Sequence, residues 1–246
     1  MLDKPHLPQR ARLTARPEEV LAVLPAIGRL MVTSKQHGAT HERIGTVETV
    51  RFADGWATIY GMEHDSRLNL AEIAELVVDR TSMMKDKAYP RLEFHRADGT
   101  EIMHVVGFEG LAPFDAAISE FGPGEALDMP ERPEPGPRGE VSPDDVGQIF
   151  FEAALASGRP VTVAFDKPGF HQAWHGTIEA VKPAMGFVNL MRPDFHLHLK
   201  AGAVAVWRPM ATETGTRYEA LGPDGIAIGL CLFVSGAPLA LARLEV

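Results

Sequence analysis

One cysteine, three tyrosines and three tryptophans are all that the 246 residues hold of those types. The lone Cys231 excludes an internal disulfide framework and any cysteine-based zinc motif. Long apolar runs are also missing. None approaches the ~20 residues that a membrane-spanning helix needs. The opening MLDKPHLPQRARL is polar and broken by proline, without the apolar stretch of a secretory leader, so a cytoplasmic protein is expected. Basic residues are in deficit, 24 Lys and Arg against 33 Asp and Glu, for a net charge of −9. Phosphate backbones are held by Lys and Arg, so this balance argues against nucleic acid as a partner. No Ser-His-Asp order, Walker loop or dinucleotide fingerprint occurs. These residues therefore do not decide whether the protein is an enzyme.

What is present is ordinary for a globular chain: 45% hydrophobic and 23% charged residues, with length for one large domain or two small ones. The richest stretch is Gly169 to Leu199. Thr177–Val181 and Phe187–Met191 read as short strands around a turn at Lys182–Gly186, where Pro183 and Gly186 punctuate the chain. Phe195-His196-Leu197-His198-Leu199 alternates strictly. A strand there sends Phe195, Leu197 and Leu199 to one face, and His196 and His198 together to the other. Two imidazoles on one face suit either a ligand site or a half-wet sheet surface.

Taken in order, residues 1–16 read as a solvated basic arm with Arg10, Arg12 and Arg16. Pro17-Glu18-Glu19 opens a short helix. Strands follow at Leu30–Thr33, Gly45–Val50, Trp56–Tyr60 and Asp65–Leu70, with Asp54-Gly55 as a hairpin signal. Leu76–Val78 is read as a further strand. Arg91–Phe94 and Ile102–Val106 flank a second hairpin at Asp98-Gly99, and a helix over 114–121 closes the half. Glycines around Thr40-His41-Glu42 suggest a turn and a local hydrogen-bonding role for His41. Residues 122–143 hold six of the chain's 19 prolines and few packable side chains, which marks a linker. A helix over 144–157 follows, with Ser142 and Asp144 as cap candidates and Gly158 as its stop.

The chain then repeats itself. Gly45–Val50 matches Gly176–Val181, Gly55-Trp56-Ala57 matches Gly186-Phe187-Val188, and Asp65–Leu70 matches Asp194–Leu199. Arg91 aligns with Arg217, and Asp98-Gly99 with Asp224-Gly225. The order is kept, so two tandem copies of one strand-rich unit are expected, at 17–121 and 144–246. The class is α+β: two repeats, each a largely antiparallel sheet with helices at its margins. Candidate binding residues are His196, His198, Arg208 and Arg217. Imidazoles can ligate metal, and guanidinium forks can hold carboxylates. His196 occupies the repeat position of Arg67, which makes the two a pseudo-symmetric pair.

These pieces resemble the bacterial HemS/ChuX family, the haemin-degrading and haem-trafficking proteins of iron uptake. The second copy is similar to the family's C-terminal half through Gln172–Gly176, Met185–Asn189, Pro193–Leu199, Trp207-Arg208-Pro209 and Tyr218–Leu221. The first copy is similar through Leu24–Gly28, Thr40-His41-Glu42, Asp65–Leu68 and Arg91–Phe94. The resemblance implies a large curved antiparallel sheet in each copy and haem in a cleft between sheet and helices. It implies an iron ligand from a histidine on a helix between the copies, and an arginine opposite, where Arg67 fits. Neither 122–143 nor 144–157 contains a histidine, and the helical bundle that opens larger members has no counterpart here. The expectation is a shortened member that binds haem or a similar porphyrin. His196 would ligate the iron with Arg67 on the opposite side, and Arg208 and Arg217 would hold propionates. The protein would act as a cytoplasmic carrier between a haem donor and an acceptor protein, without membrane insertion and as a homodimer. Haem degradation, and a non-haem ligand on the same fold, are the alternatives.

Overall fold

The computed structural model describes residues 7–130 and 139–241. Antiparallel strands dominate, with α-helices at Pro17–Ala22, Leu111–Ala117 and Val146–Ser157. No helix among the described residues is long and apolar enough to cross a membrane. The chain forms two compact units, Met1–Thr33 with Ile44–Pro133, and Ser34–Arg43 with Glu134–Val246.

In the first unit, neighbouring antiparallel strands run in the order Glu125–Ala126, Arg10–Arg12, Glu75–Asp79, Arg91–His95, Glu101–Gly107 and Arg29–Gln36. A meander of Thr49–Ala53, Trp56–Gly61 and His64–Asn69 accompanies them. Asp54 and Gly55 both take positive φ, 51° and 78°, as a tight two-residue hairpin demands. In the second unit, Val206–Ala211, Gly215–Leu221, Ala227–Ser235, Pro160–Lys167 and Phe170–Thr177 follow one another in the same way. Its own meander is Lys182–Ala184, Phe187–Met191 and Phe195–Lys200. The repeat is therefore real at the level of strand order. The expected turn at Lys182–Gly186 is tighter than proposed: Lys182–Ala184 is strand, and only Met185 and Gly186 turn, with φ of 56° and 80°.

Two sequence expectations change for physical reasons. Thr40-His41-Glu42 is no turn but the middle of the Ala39–Thr46 strand, whose residues 39–43 pair with Phe195–Lys200 inside the second unit. The turn lies just before it, at His37-Gly38. The basic arm, in turn, is only partly solvated among its described residues: Arg12 and Arg16 are exposed, but Arg10 is not. Arg10–Arg12 is a strand, Ala11 is buried, and Arg10 reaches two buried acids, Asp79 at 2.9 Å and Glu93. Arg91 adds a second guanidinium, 3.0 Å from Asp79. Two carboxylates removed from water need cations; Arg91 comes from the strand of Glu93 itself, and Arg10 from a strand distant in sequence.

The second unit's core explains how its exposed face is held. Phe195, Leu197 and Leu199 are at most 1% exposed, and Phe195 lies flat on Trp174 with ring centres 4.6 Å apart. His41 is wholly buried behind them. Its Nε2 donates to the Val163 carbonyl at 3.1 Å, and its Nδ1 accepts from Gln172 at 2.8 Å. The helix Val146–Ser157 is capped by Asp145, which accepts from the Gln148 amide at 2.9 Å and from the Gly202 amide at 2.8 Å. Gly147 lets that helix approach Leu199, since a Cβ there would lie 2.6 Å from a Leu199 methyl. Phe150 stacks on Trp207 at 3.8 Å, and Gly158 ends the helix in the left-handed conformation.

Arg10→Ala strands two buried carboxylates with one guanidinium fewer, and is expected to cost roughly 3 kcal/mol in chemical denaturation. Arg12→Ala removes only exposed pairs with Glu75 and Glu125, so its effect is expected to stay within about 0.5 kcal/mol. Equal losses would mean that burial of Asp79 and Glu93 does not govern this strand.

His41 sets a pH dependence. Burial pushes its pKa from 6.5 down to about 3, against the opposing pull of the Val163 carbonyl. The unfolded chain takes up a proton below 6.5 that the folded chain refuses. Stability is thus fully present above pH 6.5 and declines as pH falls below it, by about 1.4 kcal/mol per unit. Denaturation between pH 7 and 5 is expected to show this slope, and His41→Gln to flatten it. An unchanged slope in the variant would remove His41 as its source.

Candidate functional site

Strand register assembles one face of the second unit from side chains far apart in sequence. Across four strands, Lys182 stands opposite Asn189, Asn189 opposite His198, and His198 opposite Thr40. One row along, Met191 faces His196 and His196 faces Glu42. Period-2 geometry puts all of these on the side away from Phe195, Leu197 and Leu199.

Glu42 is the hub of this face. Its Oε2 lies 3.2 Å from His196 Nδ1 and 3.8 Å from His198 Nε2. The two imidazoles meet edge to face at 5.9 Å. The Glu42 side chain is 13% exposed, and the histidines 25% and 30%. Burial pushes the Glu42 carboxyl up, but hydrogen bonding and charge from His196 and His198 outweigh it and hold the group down at about 2. The carboxylate is ionised at neutral pH.

Beside this cluster opens a cavity of about 630 Å³. Ala184, Met185, Phe187 and Met191 give it apolar walls, while Thr40, Glu42, Asn189, His198 and Lys182 supply its polar groups. Its size and mixed lining are those of a small-molecule or cofactor site.

The other expected residues stand elsewhere. Arg67 belongs to the first unit, exposed on His64–Asn69, with its guanidinium 5.2 Å from the centre of the Trp56 ring. Arg208 pairs with Glu219 across neighbouring strands. Arg217 donates to Asp166 at 2.9 Å and to the Cys231 sulfur at 2.9 Å. Neither Arg208 nor Arg217 lines the cavity beside His198. Sequence reasoning missed Glu42 and Asn189. The alternation of Thr40, His41 and Glu42, read as a strand, would have placed Glu42 outward and His41 inward. Asn189 carries no comparable local signal.

Residues 4–118 match the haemin-degrading HemS.ChuX domain. The fold is similar to that of ChuS, a haem oxygenase of E. coli, at 20% identity and a TM-score of 0.72, covering 93% of this chain and 84% of that one. It is also similar to apo-PhuS, a haem-binding protein from Pseudomonas aeruginosa, at 19% identity and a TM-score of 0.68, covering 94% and 82%. A search of curated proteins finds no match. Residues 4–118 are thus similar to the HemS.ChuX domain, and the chain shares the fold of ChuS and PhuS over most of its length.

Proposed function

We propose that the protein binds haem on the His196/His198 face and serves as a cytoplasmic carrier in haem-iron uptake. One observation carries this reading: an apolar-walled cavity of about 630 Å³ stands beside imidazoles backed by a carboxylate. His196 is the proposed iron ligand. A ligating histidine commonly donates its second ring N–H to a carboxylate, which fixes the tautomer and raises the basicity of the ligating nitrogen. Nδ1 of His196 is the atom turned to Glu42, so Nε2 is the ligating one. When bound, the haem supplies an iron centre. The chain's part is to hold the ring, exclude water from one side and set the axial nitrogen.

Lys182 is the cation within the cavity for a propionate. Arg208 and Arg217 are further proposed propionate partners, each exchanging its present contact to reach one. The helix 146–157 offers no histidine, so ligation from the sheet takes the place of the helix-borne ligand that the resemblance implies.

Haemin titration of the purified chain tests this. A saturable, sharpened Soret band is expected, weakened at least tenfold in His196→Ala and unchanged in His175→Ala, an exposed histidine beside Thr162. A wild-type spectrum no different from free haemin would overturn the carrier and leave the fold serving another ligand. Haem degradation is the second reading, favoured by the description of the matching domain as haemin-degrading. Release of carbon monoxide under reductant would establish it over a carrier.

A homodimer belongs to the same proposal. Met185 and Met191 are 59% and 46% exposed at the cavity, apolar surface that a second copy can cover. Sedimentation is expected to show a dimer, and Met185→Glu with Met191→Glu to shift it towards monomer. A wild-type monomer at all concentrations would exclude that arrangement.

A further inference from the structure

Two groups of ligand-type side chains exist among the described residues, Glu42 with His196 and His198, and Glu93 with His95 and Glu101. They differ in what balances their charge. Glu93 already holds Arg10 and Arg91, so its negative charge is met by permanent cations. Glu42 pairs with no lysine or arginine among the described residues; only the two imidazoles face it.

Asn189 decides how His198 faces that carboxylate. The Asn189 amide nitrogen donates to the carbonyls of Lys182 at 2.9 Å and Phe187 at 3.0 Å. Its oxygen is thereby turned to His198, 2.6 Å from Nδ1. An amide oxygen only accepts, so Nδ1 of His198 carries a proton and donates it. In the neutral imidazole the lone pair is then on Nε2, and Nε2 is the atom aimed at Glu42 from 3.8 Å. A lone pair facing a carboxylate is repulsive unless a cation lies between them. A proton can serve; so can a metal ion, and the arrangement matches the hydrogen-bonded second shell that orients metal-ligating histidines.

The geometry points to a divalent transition-metal site formed by Glu42, His196 and His198, an exchangeable two-histidine, one-carboxylate site of the kind that takes zinc or ferrous iron. Ligand atoms about a tetrahedral zinc lie ~3.3 Å apart, given bonds of ~2.0–2.2 Å. The 3.2 Å and 3.8 Å separations at Glu42 are close to that, and all the ligand atoms fall within 4.8 Å of one another. Nitrogen and oxygen donors of this mix suit borderline divalent ions. Three protein ligands leave further positions open towards the cavity, so the ion is exposed to exchange. The metal takes Nδ1 of His196, whereas haem takes Nε2, so this inference does not rest on haem binding.

Calorimetric titration of the haem-free full-length chain with zinc chloride is the test, with cobalt absorption as a report on coordination. One zinc per chain is expected, with visible cobalt bands. Glu42→Gln and His198→Ala are each expected to weaken zinc at least tenfold. Asn189 acts as a positioning residue, so Asn189→Ala is expected to cost ten- to a hundredfold in zinc affinity and to alter the cobalt bands. His175→Ala should bind as wild type. No saturable zinc binding in the wild type, or wild-type affinity in both Glu42→Gln and His198→Ala, would overturn the site. Circular dichroism of each variant separates loss of a ligand from loss of fold. A chain that binds zinc but not haemin would overturn only the haem reading, and one that binds haemin but not zinc only this one.

Discussion

His196 and His198 reach the outer face because Phe195, Leu197 and Leu199 are taken up by the core, and the pleat of a strand allows the two sets no other division. A slip of one residue would bury both imidazoles and expose three large apolar side chains. The partner strand is pinned just as firmly. His41, sealed between Val163, Gln172 and the Phe195 ring, commits residues 39–43 to one register, and with it puts Glu42 on the outer side. Helix 146–157 adds a third constraint by seating Gly147 against Leu199.

The two units handle largely covered carboxylates in different ways. Asp79 and Glu93 are matched by arginines, which stay protonated at any physiological pH and hold a strand in place. Glu42 is matched by imidazoles, which can lose a proton, change partner or accept a metal. Permanent pairing suits architecture, and exchangeable pairing suits a site. The contrast directs functional interest to the second unit's face, although the domain match falls on the first repeat.

Duplication is what makes the exchangeable site possible. Glu42 comes from the hairpin of the first repeat, while both histidines come from the meander of the second. At the matching positions the first repeat has Arg67 in place of His196 and Asn69 in place of His198, so the two copies do not carry the same chemistry. The chain shares the fold of ChuS and PhuS at 19–20% identity, and a shared fold leaves the ligand set free to differ.

Much of this was written in local pattern. The alternation at 195–199, the positive-φ turn at Asp54-Gly55, the helix stop at Gly158 and the ordered recurrence of motifs determine strands, a hairpin and a repeat, because each depends on neighbours a few residues apart. The sequence also determined that two imidazoles share a face. Only the tertiary structure decided what they share it with. Glu42 lies 154 residues from His196 in the chain, and Arg10 lies 83 from Glu93, so neither pairing leaves a local signature. Long-range register and the need of a buried charge for a counter-charge selected those partners, and both act only once the strands are side by side.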